Sequence, residues 1–476
     1  MSKKEKKMIT KKVEVKKVVK SVKEKTSKVT SANKQEKDNQ NSERGKKSFN
    51  LLRGMHDILP KDEKYWKPMY QNASNLASHF QFGRLETPIL EEIGLFVRSI
   101  GKGTDVVDKE MYTFEDKDGT KVCMRPELTA AAVRAYIMHG MWNMPQPVKL
   151  WYWGPMFRHD RPQAGRYRQF HQVGFETFGH GDPSADAEMI LGAFNFYKDL
   201  GLPVEIHINS LGTPAERATY KVELVNYYRS KRSYLCEECR NRLVKNPMRL
   251  LDCKEERCQS VKEDAPQIIN WLGAESKNHF MKVLEYLDEL EVPYQLDSTL
   301  VRGLNYYTHT VFEVYVADAE ISAQSALGGG GRYDLLVEEM GGRPTPAVGM
   351  ALGLERSVLA LKQYNEKHRL EMKKVPNEAF VAQLGDEARR ITLKVINELR
   401  FGDIKIAFNL CKTSLKAQLE LADNLKVPFA VIIGQKEVQD GTAIIRDMES
   451  GIQEIVDQKK LIPVLKRKLG KFDDKK

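Results

Sequence analysis

The strand-forming stretches of this chain are short and far apart, with helix-forming sequence between them. Apolar or alternating runs occur near Trp151 and Phe170, at 204–212, and again at 296–316, 324–331 and 346–352. Residues 62–80, 128–139 and 184–200 read as helices, while 84–96 reads as a strand and turn broken by Pro88. Residues 213–295 are charged and helix-forming, with no strand signal. Strands scattered in this way predict an antiparallel α+β sheet flanked by helices, with 213–295 as a helical insertion, in preference to a doubly wound parallel sheet. After Lys374 the rhythm changes. AFVAQLG, IKIAFN and PFAVIIG alternate with helices near 386–400 and 413–426, and GTAIIRDMESGIQEIV reads as a hairpin. The chain therefore divides into a tail at 1–47, a body at 48–373 and a compact α/β module at 378–470.

Three of the strand segments carry arginine in unusual company. Between the strands near Trp151 and Phe170, HDRPQAGRYR reads as a loop bearing Arg161, Arg166 and Arg168, with Arg158 at its root. A surface built for solubility would use Lys and Glu without interleaved aromatics. Arginine is favoured where planar, permanently charged forks hold phosphate or carboxylate oxygens. LVRGLNYYTHTVFEVY at 300–315 reads as an Arg-Gly opening a strand with two adjacent tyrosines. AVGMALGLERSVLAL at 347–361 reads as a small-residue strand turning into a helix headed by Glu355 and Arg356. The glycines at 328–331 are too tightly clustered for GxGxxG, and no GK[ST] follows them, so neither a Rossmann nor a P-loop site fits. They suit close approach of backbone to substrate.

Together these segments resemble the histidyl-tRNA synthetases, a family of class II aminoacyl-tRNA synthetases. FRHDR at 157–161 is similar to class II motif 2 and GLER at 353–356 to motif 3. RGLNYY at 302–307 and GGGRYD at 329–334 resemble signatures particular to the histidine enzymes. RGMHDILP at 53–60, TDVVDKEMYTFED at 104–116 and RPELT at 125–129 also fit. Asn305 departs from the Asp common in bacterial members. The resemblance implies a class II antiparallel sheet, an anticodon-binding C-terminal module, and a homodimer whose interface lies near Pro88. It implies ATP, with Mg2+ on its β- and γ-phosphates, L-histidine and tRNA(His) as substrates and partners.

Residue by residue, the resemblance assigns Arg158 to the α-phosphate and the substrate carboxylate, Arg302 to the α-phosphate from the opposite side, and Arg356 to the γ-phosphate. Histidine selection needs groups that pair with both ring nitrogens of a neutral imidazole; Glu176 and Tyr307 fit. Glu127, Thr129 and Gln172 match positions that accept from the α-amino group, and Leu128 and Tyr306 line the same pocket. His159 and His171, lone histidines in a basic segment, read as structural or RNA-contacting. An alternative is a non-catalytic, histidine-sensing regulatory subunit of similar fold. Such proteins lack the anticodon module and lose motif arginines, both of which this chain keeps.

Charge is unevenly placed. Residues 1–47 hold 17 Lys/Arg against 6 Asp/Glu, which equals the net charge of +11 for all 476 residues. The body is thus formally neutral, and the excess charge belongs to a low-complexity tail expected to be disordered. Within it Val15, Val18, Val19 and Val22 sketch a basic amphipathic helix. No apolar run is long enough for a membrane span, so a cytoplasmic protein without membrane contact is expected. Four of six cysteines cluster as Cys236, Cys239, Cys253 and Cys258, in C-x2-C-x13-C-x4-C spacing. That spacing admits a structural Zn2+ site or four reduced thiols in a helical insertion.

Overall fold

The computed structural model describes residues 49–101, 103–163, 165–322, 326–370 and 377–471. The basic tail and its valine pattern lie outside the described residues. In chain order the strands of the body are β1 (Gly83–Arg84), β2 (Leu90–Glu92), β3 (Thr113–Glu115), β4 (Lys121–Met124), β5 (Val148–Phe157), β6 (Gln169–Phe178), β7 (Val204–Ser210), β8 (Tyr294–Leu296), β9 (Thr308–Val316), β10 (Gly328–Arg332) and β11 (Ala347–Gly353). Eight of them form one sheet in the order β1-β5-β6-β11-β10-β9-β7-β8. Its six inner strands pair antiparallel, and the short edge strands β1 and β8 pair parallel. A small second sheet runs β2-β4-β3.

Successive side chains on a strand point to opposite faces. On one face Trp151, Val173, Phe175, Ile206, Val314 and Met350 form a core with helices Glu63–His79, Pro183–Asp199, Ala274–Glu289 and Leu354–His368. The other face carries two registered rows. Leu150, Glu176, Gly349, Gly331 and Val311 lie side by side, and beside them run Tyr152, Gly174, Ala351, Gly329 and Glu313. Glycine and alanine in the middle of both rows leave a trough floored by backbone. The room is already partly taken: a Cβ on Gly349 would lie 1.6 Å from Oε2 of Glu176, and one on Gly174 would lie 2.2 Å from the Tyr152 ring.

Two sequence expectations need correction. Arg302, Tyr306 and Tyr307 do not open a strand; β8 ends at Leu296, β9 begins at Thr308, and the residues between form a loop. Neighbours on a strand would point apart, whereas the Tyr306 and Tyr307 rings pack together with centroids 4.7 Å apart. Residues 84–96 are not only strand and turn, because Ile93–Ile100 is a helix. Its Phe96 and Ile100, with Ile93 beside them, bury against Val106, Cys123 and Ala130.

Between β7 and β8 the insertion is helical, with helices Pro214–Ser230, Glu237–Lys245, Glu256–Glu263 and Ala274–Glu289. A Thr213/Glu216 capping box starts the first of them. The C-terminal module has a five-stranded sheet of β12 (Ala379–Gln383), β13 (Ile406–Phe408), β14 (Phe429–Ile433), β15 (Thr442–Asp447) and β16 (Gln453–Asp457), ordered β13-β12-β14-β15-β16. Helices Asp386–Phe401 and Leu415–Asn424 cover it.

Candidate active site

Glu176 sits at the centre of the trough and is fully buried. Thr129 donates its hydroxyl to Oε1 at 2.8 Å, Tyr152 donates to the same oxygen at 2.9 Å, and Tyr333 donates to Oε2. Burial pushes the carboxyl up to about 8, despite the opposing effect of these three hydroxyls. Tyr306 and Tyr307 close the pocket. The Tyr306 ring meets the Tyr333 ring edge-on at 5.7 Å, and the Tyr307 ring lies 5.7 Å from the Arg302 guanidinium carbon.

Glu127 caps the helix Thr129–Met138, accepting the amides of Thr129 at 2.7 Å and Ala130 at 2.9 Å. Burial raises its carboxyl above the usual range, opposed by those amides and by Arg158. Leu128 packs in an apolar cluster with Ala131, Tyr152 and Met156 at the pocket wall. Gln172 lies one strand step from Gly174, and its buried Oε1 has no hydrogen-bond partner among the described residues. An unpaired buried acceptor is costly unless a ligand satisfies it.

The arginines gather beside this pocket. Arg158 directly follows β5; its Nε donates to the Pro126 carbonyl at 2.8 Å, and its guanidinium lies 5.5 Å from the Phe170 ring centroid. Arg356 begins the helix after β11. Its Nε donates to Gly165 O at 3.2 Å in the β5–β6 loop, and its Nη1 to Ala326 O at 2.8 Å. Burial, then the Arg166 and Arg158 charges, bring Arg356 down to about 10. Among the described residues neither Arg158 nor Arg356 has a carboxylate within salt-bridge distance. Half-buried, mutually repelling guanidiniums without counter-charge make a site for an anion.

Arg302 is different, since it pairs with Glu313 on β9. Burial disfavours its charge, but Tyr307 and Glu313 outweigh that and hold it above the ordinary arginine range. Its Nε remains buried without a hydrogen-bond partner among the described residues. Gly329 leaves it room, because a Cβ there would stand 3.0 Å from Nη1.

His171 is half-buried against Glu355, whereas the His159 side chain is exposed. Glu355 accepts the His171 amide at 2.8 Å and contacts its Nδ1 at 2.8 Å, and the His159 amide donates to Glu110 O at 2.7 Å. Within GGGRYD, Arg332 is an anchor. It is fully buried, pairs with Asp186 and also donates to His180 O and Asp182 O, tying the sheet to helix Pro183–Asp199. Arg125 holds the Thr87–Pro88 turn through Thr87 O at 2.7 Å and links it to Pro155 O at 3.0 Å. Residues 53–54 support the arginine loop, as Gly54 O accepts the Arg168 amide at 2.7 Å.

The structure thus joins Glu127, Thr129, Gln172, Glu176, Tyr306, Tyr307 and the three motif arginines around one trough, and adds Tyr152, Tyr333, Glu313 and Arg166. The four clustered cysteines lie apart, in the insertion.

Residues 54–216 and 232–356 match the histidyl-tRNA synthetase family, and 378–468 match the anticodon binding domain family. The histidine–tRNA ligase of Pelotomaculum thermopropionicum is 46% identical over 418 residues, which cover 88% of this chain and 97% of that protein. That of Desulforamulus reducens is 43% identical over 415 residues, 87% of this chain and 98% of the relative. Among solved structures, apo histidyl-tRNA synthetase of S. aureus superposes with a TM-score of 0.72 at 35% identity, covering 88% of this chain and all of that one. A Bacillus halodurans chain described as an ATP phosphoribosyltransferase regulatory subunit/histidyl-tRNA synthetase, at TM-score 0.59 and 21% identity, shares the fold alone.

Proposed function

Because this chain belongs to the histidyl-tRNA synthetase family and its reaction is the ATP-dependent joining of L-histidine to tRNA(His), we propose how the trough divides that work. The carrying observation is the group of half-buried guanidiniums at Arg158 and Arg356, without a carboxylate partner among the described residues, beside the Glu176 pocket. Adenylate formation brings two anions together, so it needs positioning and charge neutralisation more than covalent help. Arg158 holds the α-phosphate and the histidine carboxylate. Arg302 meets the α-phosphate from the opposite wall, and Arg356 takes the γ-phosphate of a bent nucleotide. Magnesium arrives with ATP as its counter-ion.

The histidine carboxylate oxygen attacks the α-phosphorus, the bond to the β-phosphate bridging oxygen breaks, and pyrophosphate leaves. The terminal ribose hydroxyl of tRNA then attacks the acyl carbon and AMP departs. Glu176 reads the imidazole. Its three hydroxyl partners fix the orientation of the carboxyl toward the imidazole, and the Tyr307 hydroxyl serves the other nitrogen. The unpaired Gln172 Oε1, with Glu127 and Thr129, receives the α-amino group. A site whose buried polar groups are satisfied only by the right side chain can discriminate by about 10⁴–10⁵-fold.

The module after residue 378 reads the anticodon of tRNA(His) in this scheme. The active form is a homodimer: Ile89 and Leu90, beside the Arg125-held Pro88 turn, are 41% and 45% exposed and suit a two-fold contact. Among the described residues no helix is long and apolar enough to cross a membrane. The reaction belongs in the cytoplasm, where translation consumes its product.

Histidine-dependent exchange of label between pyrophosphate and ATP tests the scheme without tRNA. Arg302→Ala should slow it by about 10²–10³-fold, with circular dichroism and oligomeric state unchanged. Near-wild-type exchange would remove Arg302 from the chemistry.

A further inference from the structure

The sulfurs of Cys236, Cys239, Cys253 and Cys258 all lie within 4.8 Å of one another, and the pair Cys236–Cys253 is 4.0 Å apart. All four are free thiols, three of them buried and Cys236 half-buried. Cysteines used as small apolar fillers would scatter through the insertion core; these four turn their sulfurs to one point. The backbone turns with them. The Cys239 amide donates to the Cys236 sulfur at 3.4 Å, and the Cys236 amide donates to the Cys258 sulfur at 3.2 Å. Four thiolates at about 2.3 Å around a tetrahedral zinc sit about 3.8 Å apart, so closing the cluster needs shifts of less than an ångström.

What this cluster holds in place reaches the reaction trough. Helix Glu237–Lys245, which is capped by the first cysteine and carries the second, and the turn Pro247–Leu250 lead on to the third. From them Arg249 and Arg242 reach Asp105 at 3.4 Å and 3.7 Å, and the Asn246 side-chain amide donates to Asn305 Oδ1 at 3.3 Å. Arg249 also lies against Gly303, where a Cβ would make ordinary van der Waals contact with its Nη1 at 3.5 Å. Gly303 and Asn305 belong to the loop that begins with Arg302 and ends with Tyr307.

We propose that Cys236, Cys239, Cys253 and Cys258 bind one thiophilic divalent ion of the zinc class, and that this closed knuckle braces the Arg302–Tyr307 loop through Asn246 and Arg249. The ion is structural. With four protein sulfurs it keeps no open position for substrate.

The metal content of the full chain, purified without chelator, tests the site independently of histidine activation. About one zinc per chain is expected by elemental analysis. Replacement by cobalt should give the visible absorption of a tetrahedral tetrathiolate, which needs no variant. Cys253→Ser and Cys258→Ser should lose the ion, while Cys411→Ser, an exposed cysteine outside the cluster, keeps it. Stripping the ion should lower the melting temperature by at least about 4 °C and open residues 236–258 to limited proteolysis. Asn246→Ala should retain the metal yet raise the ATP KM several-fold, whereas a merely local fold element would leave KM unmoved. Protein that is metal-free as isolated and after zinc incubation under reducing conditions overturns the site. An unchanged KM in Asn246→Ala overturns the bracing role.

Discussion

Tyr333, which follows β10, donates its hydroxyl to Oε2 of Glu176, which lies two strands away on β6. This carboxyl is fully buried, so losing the phenol leaves a buried acceptor without its partner. Such a loss costs about 1–3 kcal/mol. Tyr333→Phe should therefore raise the histidine KM about fivefold or more and leave the ATP KM alone. Steady-state exchange with each substrate varied decides it, and equal effects on both substrates would count against a histidine-specific role.

The same carboxyl makes stability depend on pH. Burial holds Glu176 at about 8 in the folded protein, against an ordinary value of 4.5. The native state keeps a proton that the unfolded chain releases between those values. The contribution is complete below about 4.5 and is lost as pH rises through about 8, at up to roughly 1.4 kcal/mol per unit. Glu176→Gln cannot ionise there. Chemical denaturation should show the wild type falling relative to this variant from about pH 6 to 8; parallel curves would contradict the shift.

Glu313 is the carboxylate that orients Arg302, and the Tyr315 hydroxyl holds its other oxygen at 2.7 Å. Glu313→Gln keeps the shape and removes the charge. The expected result is a rise in ATP KM of about tenfold with histidine binding by equilibrium dialysis unaltered. A variant with wild-type ATP KM would show that Arg302 is placed by the loop alone.

Residues 1–47 carry a charge equal to that of the whole protein. Lysines attract phosphate without reading sequence and release counter-ions as they bind. Deleting the tail should leave pyrophosphate exchange untouched and raise the tRNA KM most at low salt, the gap closing as salt screens the charges. Identical salt dependence of tRNA binding in the two proteins would exclude an electrostatic role.

The motif arginines were legible because arginine interleaved with aromatics is a local signal, and the cysteine spacing was legible for the same reason. Tyr152, Tyr333 and Glu313 were not, since they meet the pocket only through strand register. One cue existed for Tyr152: alternation along β5 turns it away from Trp151 and Trp153, which face the helices. The Arg302–Tyr307 loop was misread as strand because its tyrosines suit a sheet in isolation. Only their shared approach to Glu176 requires the chain to turn. The sheet itself was readable from the wide spacing of its strands, whereas the helix Ile93–Ile100 was masked by Pro88 and the adjoining strand.

Glu176 and Gly349 are partners across the middle of the large sheet, although the whole insertion lies between them in sequence. During synthesis the open edge of β6 must therefore wait for β11, roughly ten to thirty seconds at ordinary elongation rates. Until then the nascent chain exposes the open edge of a ten-residue strand already paired with β5 on its other side, a template for pairing with other chains. Closure of the sheet and completion of the histidine pocket are one late event, so truncated or stalled chains emerge unable to bind the amino acid and prone to aggregate. Free histidine, which binds only the closed form, should act on newly made protein as a folding ligand.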